Sequence, residues 1–225
     1  MFTIAEELLL LALDDDKGTV VFSASSSLNY GLAGAILAEL TIQERITLED
    51  EKVVVMNENG DGFQRTVLQQ IKDSKKPRSV KHWVQSISFR MNKIKKEILN
   101  SLVKRNVLRE EEQKILWVFS RHVYPNEQDK PEQQIRKRLH SCLYGNEEAD
   151  ERTVMLLSLI KACNLIGEVF PNEKSKDVQN RIDEVSESEA YGKAVKKSIE
   201  AMQTVVIAAC ASAAASSAAS SGGGS

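Results

Sequence analysis

The sequence predicts a mainly α-helical protein, and three observations carry that prediction. Aromatic residues make up only 5% of the 225 residues, while Leu, Ile, Lys, Glu and Ala are common. That mix favours helices over a β-sandwich or barrel. Apolar residues recur at helical spacing, as at Met91, Ile94, Ile98 and Leu102. Neither a repeat of solenoid period nor a dividing linker interrupts the pattern, so one domain is expected over residues 1–209. Residues 210–225 read as a low-complexity Ala/Ser/Gly tail, expected to be disordered past about Ser217 and assigned no function.

Thr3 and Glu6 form a Thr-x-x-Glu capping box ahead of the apolar run Leu8 to Leu13, which suggests a helix buried on most sides. Asp14 to Gly18 ends it, with Gly18 as cap or turn residue. A short extended piece, Thr19 to Phe22, and a small-residue loop, Ser23 to Ser27, lead to a second apolar helix over Leu28 to Thr41. Gly31, Ala33, Gly34, Ala35 and Ala38 permit close packing there. Arg45 to Met56 reads as a hairpin of two short strands. Helices are predicted at Thr66 to Asp73, Val80 to Phe89 and Arg90 to Arg105. In the last of these, Lys93, Lys96, Asn100 and Lys104 line a face other than the apolar stripe. Ile115 to Tyr124 reads as one strand, and a polar loop follows to Pro131. Further helices are predicted at Gln133 to Tyr144, Arg152 to Glu168, Asp177 to Val185 and Glu189 to Ala209. The last has core positions Val195, Ile199, Met202 and Val206.

The net charge of −2 conceals a strong asymmetry. Between Lys72 and Arg109 twelve Lys/Arg face only Asp73 and Glu97, a local charge of +10 in a body that carries −12. Such a segment points to an anionic partner, or else to a solvated face whose lysines pair with acids elsewhere. Cys142, Cys163 and Cys210 are odd in number and far apart, which suits reduced cysteines in a cytosolic protein. The first apolar run follows acids rather than a basic stretch, and no run approaches the roughly 18 apolar residues of a membrane span. Any membrane contact is therefore expected to be peripheral.

No phosphate-binding glycine loop, dinucleotide fingerprint or nucleophile elbow is present. His82, His122 and His140 are too dispersed for a metal site. Glu6/Glu7 and Glu147/Glu148 read as a helix first turn or a solvated loop. Neither an enzyme nor a cofactor is expected.

Five segments, in order, resemble the Golgi phosphoprotein 3 family. They are Thr3-Ile-Ala-Glu-Glu-Leu-Leu-Leu-Leu-Ala-Leu-Asp-Asp-Asp-Lys-Gly18, Tyr30-Gly-Leu-Ala-Gly-Ala-Ile-Leu-Ala-Glu-Leu40, Arg45-Ile-Thr-Leu48, Ser101-Leu-Val-Lys-Arg-Asn-Val-Leu108, and Arg152-Thr-Val-Met-Leu-Leu-Ser-Leu-Ile-Lys-Ala162 continuing to Phe170. The resemblance implies a single, mainly α domain around a helical bundle with short β-hairpins. It also implies a basic face that recognises phosphatidylinositol 4-phosphate. The Golgi members build that pocket from a loop Trp, a second-helix Arg and two Arg of the basic helix.

These positions fall here at Ala24 or Ser25, at Ala33, and at Asn92 and Lys95. Only the last keeps a charge, while Arg90, Lys93 and Lys96 lie beside it. The candidate headgroup residues are therefore Arg90, Asn92, Lys93, Lys95, Lys96, Ser25 and Ala33, with hydroxyl and backbone donors of Ser23 to Ser27 beside them. The chain opens directly on the first core helix, so a minimal, prokaryotic-like member without the family's basic N-terminal arm is expected.

The leading reading is a non-enzymatic cytoplasmic module, peripheral at a membrane, whose expected partners are an anionic lipid surface and the cytoplasmic tails of membrane proteins. The alternatives are a winged-helix-like nucleic-acid binder, from the helix-then-hairpin units Leu28 to Met56 and Arg90 to Tyr124, and a structural or adaptor protein. The absence of overall basic charge argues against nucleic acid.

Overall fold

The computed structural model describes residues 1–115, 119–145, 150–187, 200 and 203–213. Its first helix, α1 (Ile4–Leu11), is buried on every side: all eight residues are buried. The expected capping box starts it, with Thr3 Oγ1 accepting from Glu6 N and Glu6 Oε2 accepting from Thr3 N at 2.8 Å. Gly18 follows in the left-handed region at φ 59°, where a Cβ would lie 2.2 Å from Pro125 N. Only glycine fits that turn. Val20 then bridges Leu13, and Phe22–Ala24 form a 3-10 turn within the expected small-residue loop.

Helix α2 (Leu28–Ile42) packs against α1 and buries both glycines of its small-residue run. A Cβ at Gly31 would meet Cys163 Sγ at 2.2 Å, and one at Gly34 would meet Val206 Cγ2 at 2.3 Å. The small residues thus set the approach of neighbouring helices, as their run predicts. The predicted hairpin is β1 (Ile46–Glu49) with β2 (Lys52–Val55), in register Ile46↔Val55. A third strand, β3 (Arg78–Ser79), adds to β2 and was not anticipated, being only two residues long. Helices α4 (Val80–Phe89) and α5 (Met91–Lys104) stand where helices were predicted, and α3 (Gly62–Lys72) begins four residues before the predicted start at Thr66.

The single strand expected at Ile115 to Tyr124 is instead the end of one strand and the whole of a second. β4 (Glu111–Ile115) pairs with β5 (Phe119–Val123), Glu111 opposite Val123. Glu111 to Lys114 are exposed, so β4 shows no apolar alternation from which a strand is read. Helix α6 (Asp129–Tyr144) begins four residues before the prediction, with Pro131 in its first turn. The first-turn N–H has no helical acceptor, so proline is tolerated there.

The helix expected from Arg152 to Glu168 is broken. α7 (Glu151–Ala162) starts at the Asp150 cap, whose Oδ1 accepts from Thr153 N at 2.7 Å. It stops where Asn164 takes φ 58° and Leu165 N closes onto Ile160 O, a left-handed helix end. α8 (Ile166–Val169) and α9 (Ser175–Glu187) follow. Residues 203–213 are helical, with Val206 and Cys210 buried against the core. Val195, Ile199 and Met202 lie outside the described residues, as do Glu147 and Glu148.

Around α1 stand α2, α5, α6 and α7, giving the expected mainly α bundle with short hairpins. Four carboxylates are buried among the described residues, and each has a specific partner, Glu132 pairing with Arg136 along α6. Glu6 accepts from Ser101 Oγ at 2.7 Å and pairs with Arg105. Glu7 takes a two-pronged contact from Arg138, at 2.7 and 3.2 Å. Glu39 accepts from Ile4 N at 2.8 Å and pairs with Arg152. Charges that deep persist only when paired and hydrogen-bonded. Glu6 and Glu7 are thus a helix first turn, turned inward rather than solvated. All three cysteines are free, as expected, and the fold buries them.

On the opposite side of the Gly18 turn, Asn126 Nδ2 bridges two acids, Asp15 Oδ1 at 2.7 Å and Glu132 Oε2 at 3.1 Å. Asp15 is exposed overall, but partial desolvation of its carboxyl, with the Glu132 and Asp129 charges adding to it against Arg136, pushes it up to about 6. A raised folded-state value means that ionised Asp15 destabilises the fold above pH 6, and that the penalty fades as pH falls toward 4. Asp15→Asn should therefore stabilise the protein at pH 7.5 by about 1 kcal/mol. That figure is discounted from the full linkage value because the side chain is exposed. Urea unfolding should show the gain shrinking to nothing by about pH 4; a gain independent of pH would assign it to something other than titration.

Candidate functional site

Helix α5 carries most of the predicted headgroup residues. Met91, Ile94, Ile98 and Leu102 form its core stripe, all buried as their spacing predicts. A helix that turns this stripe inward turns its remaining positions out. Arg90, Asn92, Lys93 and Lys96 are exposed accordingly. Lys95 is half-buried, and burial pushes its ammonium below the usual lysine range.

The pairing of the basic segment separates structural cations from free ones. Arg105 pairs with Glu6 and lies over the Phe2 ring, Lys72 pairs with Glu58, and Arg109 pairs with Glu111 and Glu127. Lys75, Lys76, Arg78, Lys81, Arg90, Lys93, Lys95, Lys96 and Lys104 form no ion pair within 4 Å among the described residues. Among the described residues, the cations of this segment are therefore not simply matched by acids elsewhere on the fold.

The two candidates outside α5 behave differently from it. Ala33 is fully buried in α2 and presents nothing to solvent. Ser25 is exposed, but its Oγ donates to Phe22 O at 2.8 Å. In the same loop Ser25 N donates to Phe22 O and Ser27 N to Ala24 O. Ser27 Oγ donates to Cys163 O at 3.2 Å. These donors stabilise the turn itself rather than standing open to a ligand.

Two exposed aromatics were missed in the sequence. Phe22 is 93% exposed in the 3-10 turn, three residues before Ser25, and Phe89 is 83% exposed, one residue before Arg90. Phe89 was legible in principle. Val80, Trp83, Val84 and Ile87 set the buried face of α4 at i, i+3, i+4 and i+7. Two residues beyond Ile87 a helix has turned about 200°, so Phe89 points away from that face.

The fold is thus a mainly helical domain with an unpaired cationic helix face, and none of its described helices is long and apolar enough to cross a membrane. The family pattern described as Golgi phosphoprotein 3 (GPP34) matches residues 4–202, and the chain belongs to that family. It is also similar to a vacuolar protein sorting-associated protein 74 of Eremothecium gossypii, 25% identical over 164 residues. That match covers 63% of this chain and 49% of the relative, so it takes in about half of the relative's length.

Proposed function

We propose that this protein is a non-enzymatic module that attaches peripherally to anionic membrane surfaces on the cytoplasmic side. The observation that carries the reading is the set of nine cations of this segment left without ion pairs among the described residues, five of them (Arg90, Lys93, Lys95, Lys96 and Lys104) on α5 or at its start. Each Lys or Arg held near an anionic surface contributes about 1 kcal/mol, so four or five give useful, salt-sensitive attachment. Phe89 supplies an apolar side chain beside that charge, the combination that favours the membrane interface. Lys95, half-buried and unpaired, gains most from an anionic oxygen, because its own hydration is already reduced.

Of the family's phosphatidylinositol 4-phosphate pocket, only Lys95 keeps a charge among the corresponding positions, and lysine is a point charge rather than a fixed fork. Selectivity for that lipid over phosphatidylserine at equal charge is accordingly expected below about tenfold, or roughly 1.4 kcal/mol. Sedimentation with phosphatidylcholine vesicles, with and without anionic lipid, tests the reading. Replacing Lys93, Lys95 and Lys96 by Ala should weaken binding to the anionic vesicles by about 3 kcal/mol at low salt and leave the weak binding to neutral ones alone. A folded triple variant that binds anionic vesicles as wild type does would move the contact off α5. The Arg136 to Arg138 segment is a poor substitute. Arg136 is held by Glu132 and the carbonyls of Glu168 and Val169, and Arg138 by Glu7, which leaves Lys137.

A further inference from the structure

Two of the buried cysteines meet at one backbone oxygen. Cys163 closes the C-terminal end of α7, and its Sγ donates to Ser27 O at 3.9 Å. Cys210 reaches the same oxygen at 3.6 Å from the helix at 203–213. The two thiols are also within hydrogen-bonding reach of each other, and that contact, with burial added, holds the Cys163 thiol well above its usual range. Ser27 returns the tie, its Oγ donating to Cys163 O at 3.2 Å. A thiol is a weak donor, so these contacts stabilise little. What they fix is the position of two sulfurs against each other.

Both cysteines are 0% exposed in the closed fold, so their chemistry depends on the helix that carries Cys210. Among residues 203–213 only Val206 and Cys210 are buried, four residues apart on one face, with Val205 and Ala209 partly buried beside them. Gln203 Nε2 adds one hydrogen bond, donating to Ser158 Oγ at 2.9 Å. The remaining side is exposed at Thr204, Ile207, Ala208, Ala211 and Ser212. Elements held by so few buried side chains open locally at far lower free energy than the whole fold. Such opening brings Cys210 to solvent while Cys163 stays on α7.

From this geometry we infer that Cys163 and Cys210 form a reversible disulfide that latches the C-terminal helix to α7 and the start of α2, with a hydroperoxide as the oxidant. In the open helix the Cys210 thiolate attacks one peroxide oxygen and the O–O bond breaks. The departing hydroxide takes up the proton that Cys210 released, leaving a sulfenic acid and one water. When the helix closes, the Cys163 sulfur attacks the Cys210 sulfur and the S–O bond breaks. The second hydroxide takes the Cys163 proton and leaves as water. Each sulfur gives up one electron and the peroxide takes two. An external thiol reverses the bond by exchange.

Treating the whole chain with about 1 mM hydrogen peroxide tests the inference. Thiols titrated after denaturation should fall from three to one. Peptide mass spectrometry without reductant should join the Cys163 and Cys210 peptides and leave Cys142 free. Tm should rise by about 5–15 °C and return with dithiothreitol, because the bond closes a loop of about 47 residues in the unfolded chain. Val206→Ala removes one of the two buried anchors and should speed the loss of thiols at least about fivefold. In Cys210→Ala, Cys163 should stay reduced. Four results would each overturn the inference: three thiols left after hours of exposure, a disulfide through Cys142 or between chains, a Cys163–Cys210 bond that lowers Tm, or oxidation of Cys163 in Cys210→Ala.

Discussion

Leu9→Asp is expected to remove several kcal/mol of stability, a large part of the roughly 5–15 kcal/mol that holds a domain of this kind together. Leu9 is 0% exposed at the middle of α1, enclosed by α2, α5, α6 and α7. The substitution deletes a buried apolar side chain and sets a carboxylate inside the apolar core. Such a group escapes part of the cost by taking up a proton, which raises its folded-state value. The sign follows: the loss should be largest at pH 7–8 and should shrink as pH falls toward the ordinary carboxylate range. Urea unfolding at two pH values reads both the size and the slope. A variant that melts within a degree or two of wild type would contradict the placement of α1 at the centre of the bundle.

Much of this centre is legible in the sequence because α1 and α2 announce themselves locally. Thr3 and Glu6 mark a helix start, Leu8 to Leu11 leave no polar face, and the small residues of α2 have no reason to cluster unless another element comes close. The periodicity of α5 likewise gives its buried stripe residue by residue. What was not legible has a common cause, which is dependence on partners distant in sequence. β3 exists only because β2 offers it an edge, and β4 only because β5 returns beside it. The α7 break rests on Asn164 adopting a left-handed conformation, a tolerance of Asn that no periodicity reveals.

The same limit applies to the chemistry of the surface. A count of lysines between residues 72 and 109 gives the excess of charge but not which cations are already used. Arg105 belongs to the core through Glu6, 99 residues away, whereas Lys93 and Lys96 belong to no partner among the described residues. Ala33 shows the converse, since a position carried over from a family pattern proves to be fully buried here.

Glu7 and Arg138 allow the strongest test of how this core tolerates charge. Glu7 is 2% exposed on α1, and both of its oxygens are met by the two terminal nitrogens of Arg138 on α6, across 131 residues of sequence. In the folded protein the pair offsets the desolvation of each member, but the pair is not expected to contribute much net stability, since removing two charges from water costs nearly what their attraction returns. Breaking it from one side is another matter. Arg138→Met leaves the Glu7 carboxylate buried and uncompensated, with an expected loss of about 3–5 kcal/mol. Glu7→Met together with Arg138→Met leaves no charge behind and fills similar volume, so the double variant should return to within about 1–2 kcal/mol of wild type and is permitted to exceed it. Urea midpoints of the wild type, both singles and the double close the cycle, and the coupling is the difference between the double and the sum of the singles. Additive losses would mean that Glu7 is stabilised by something other than Arg138. A loss below about 1 kcal/mol in Arg138→Met would mean that water reaches the carboxylate, and that α6 does not seal α1 as the structure shows.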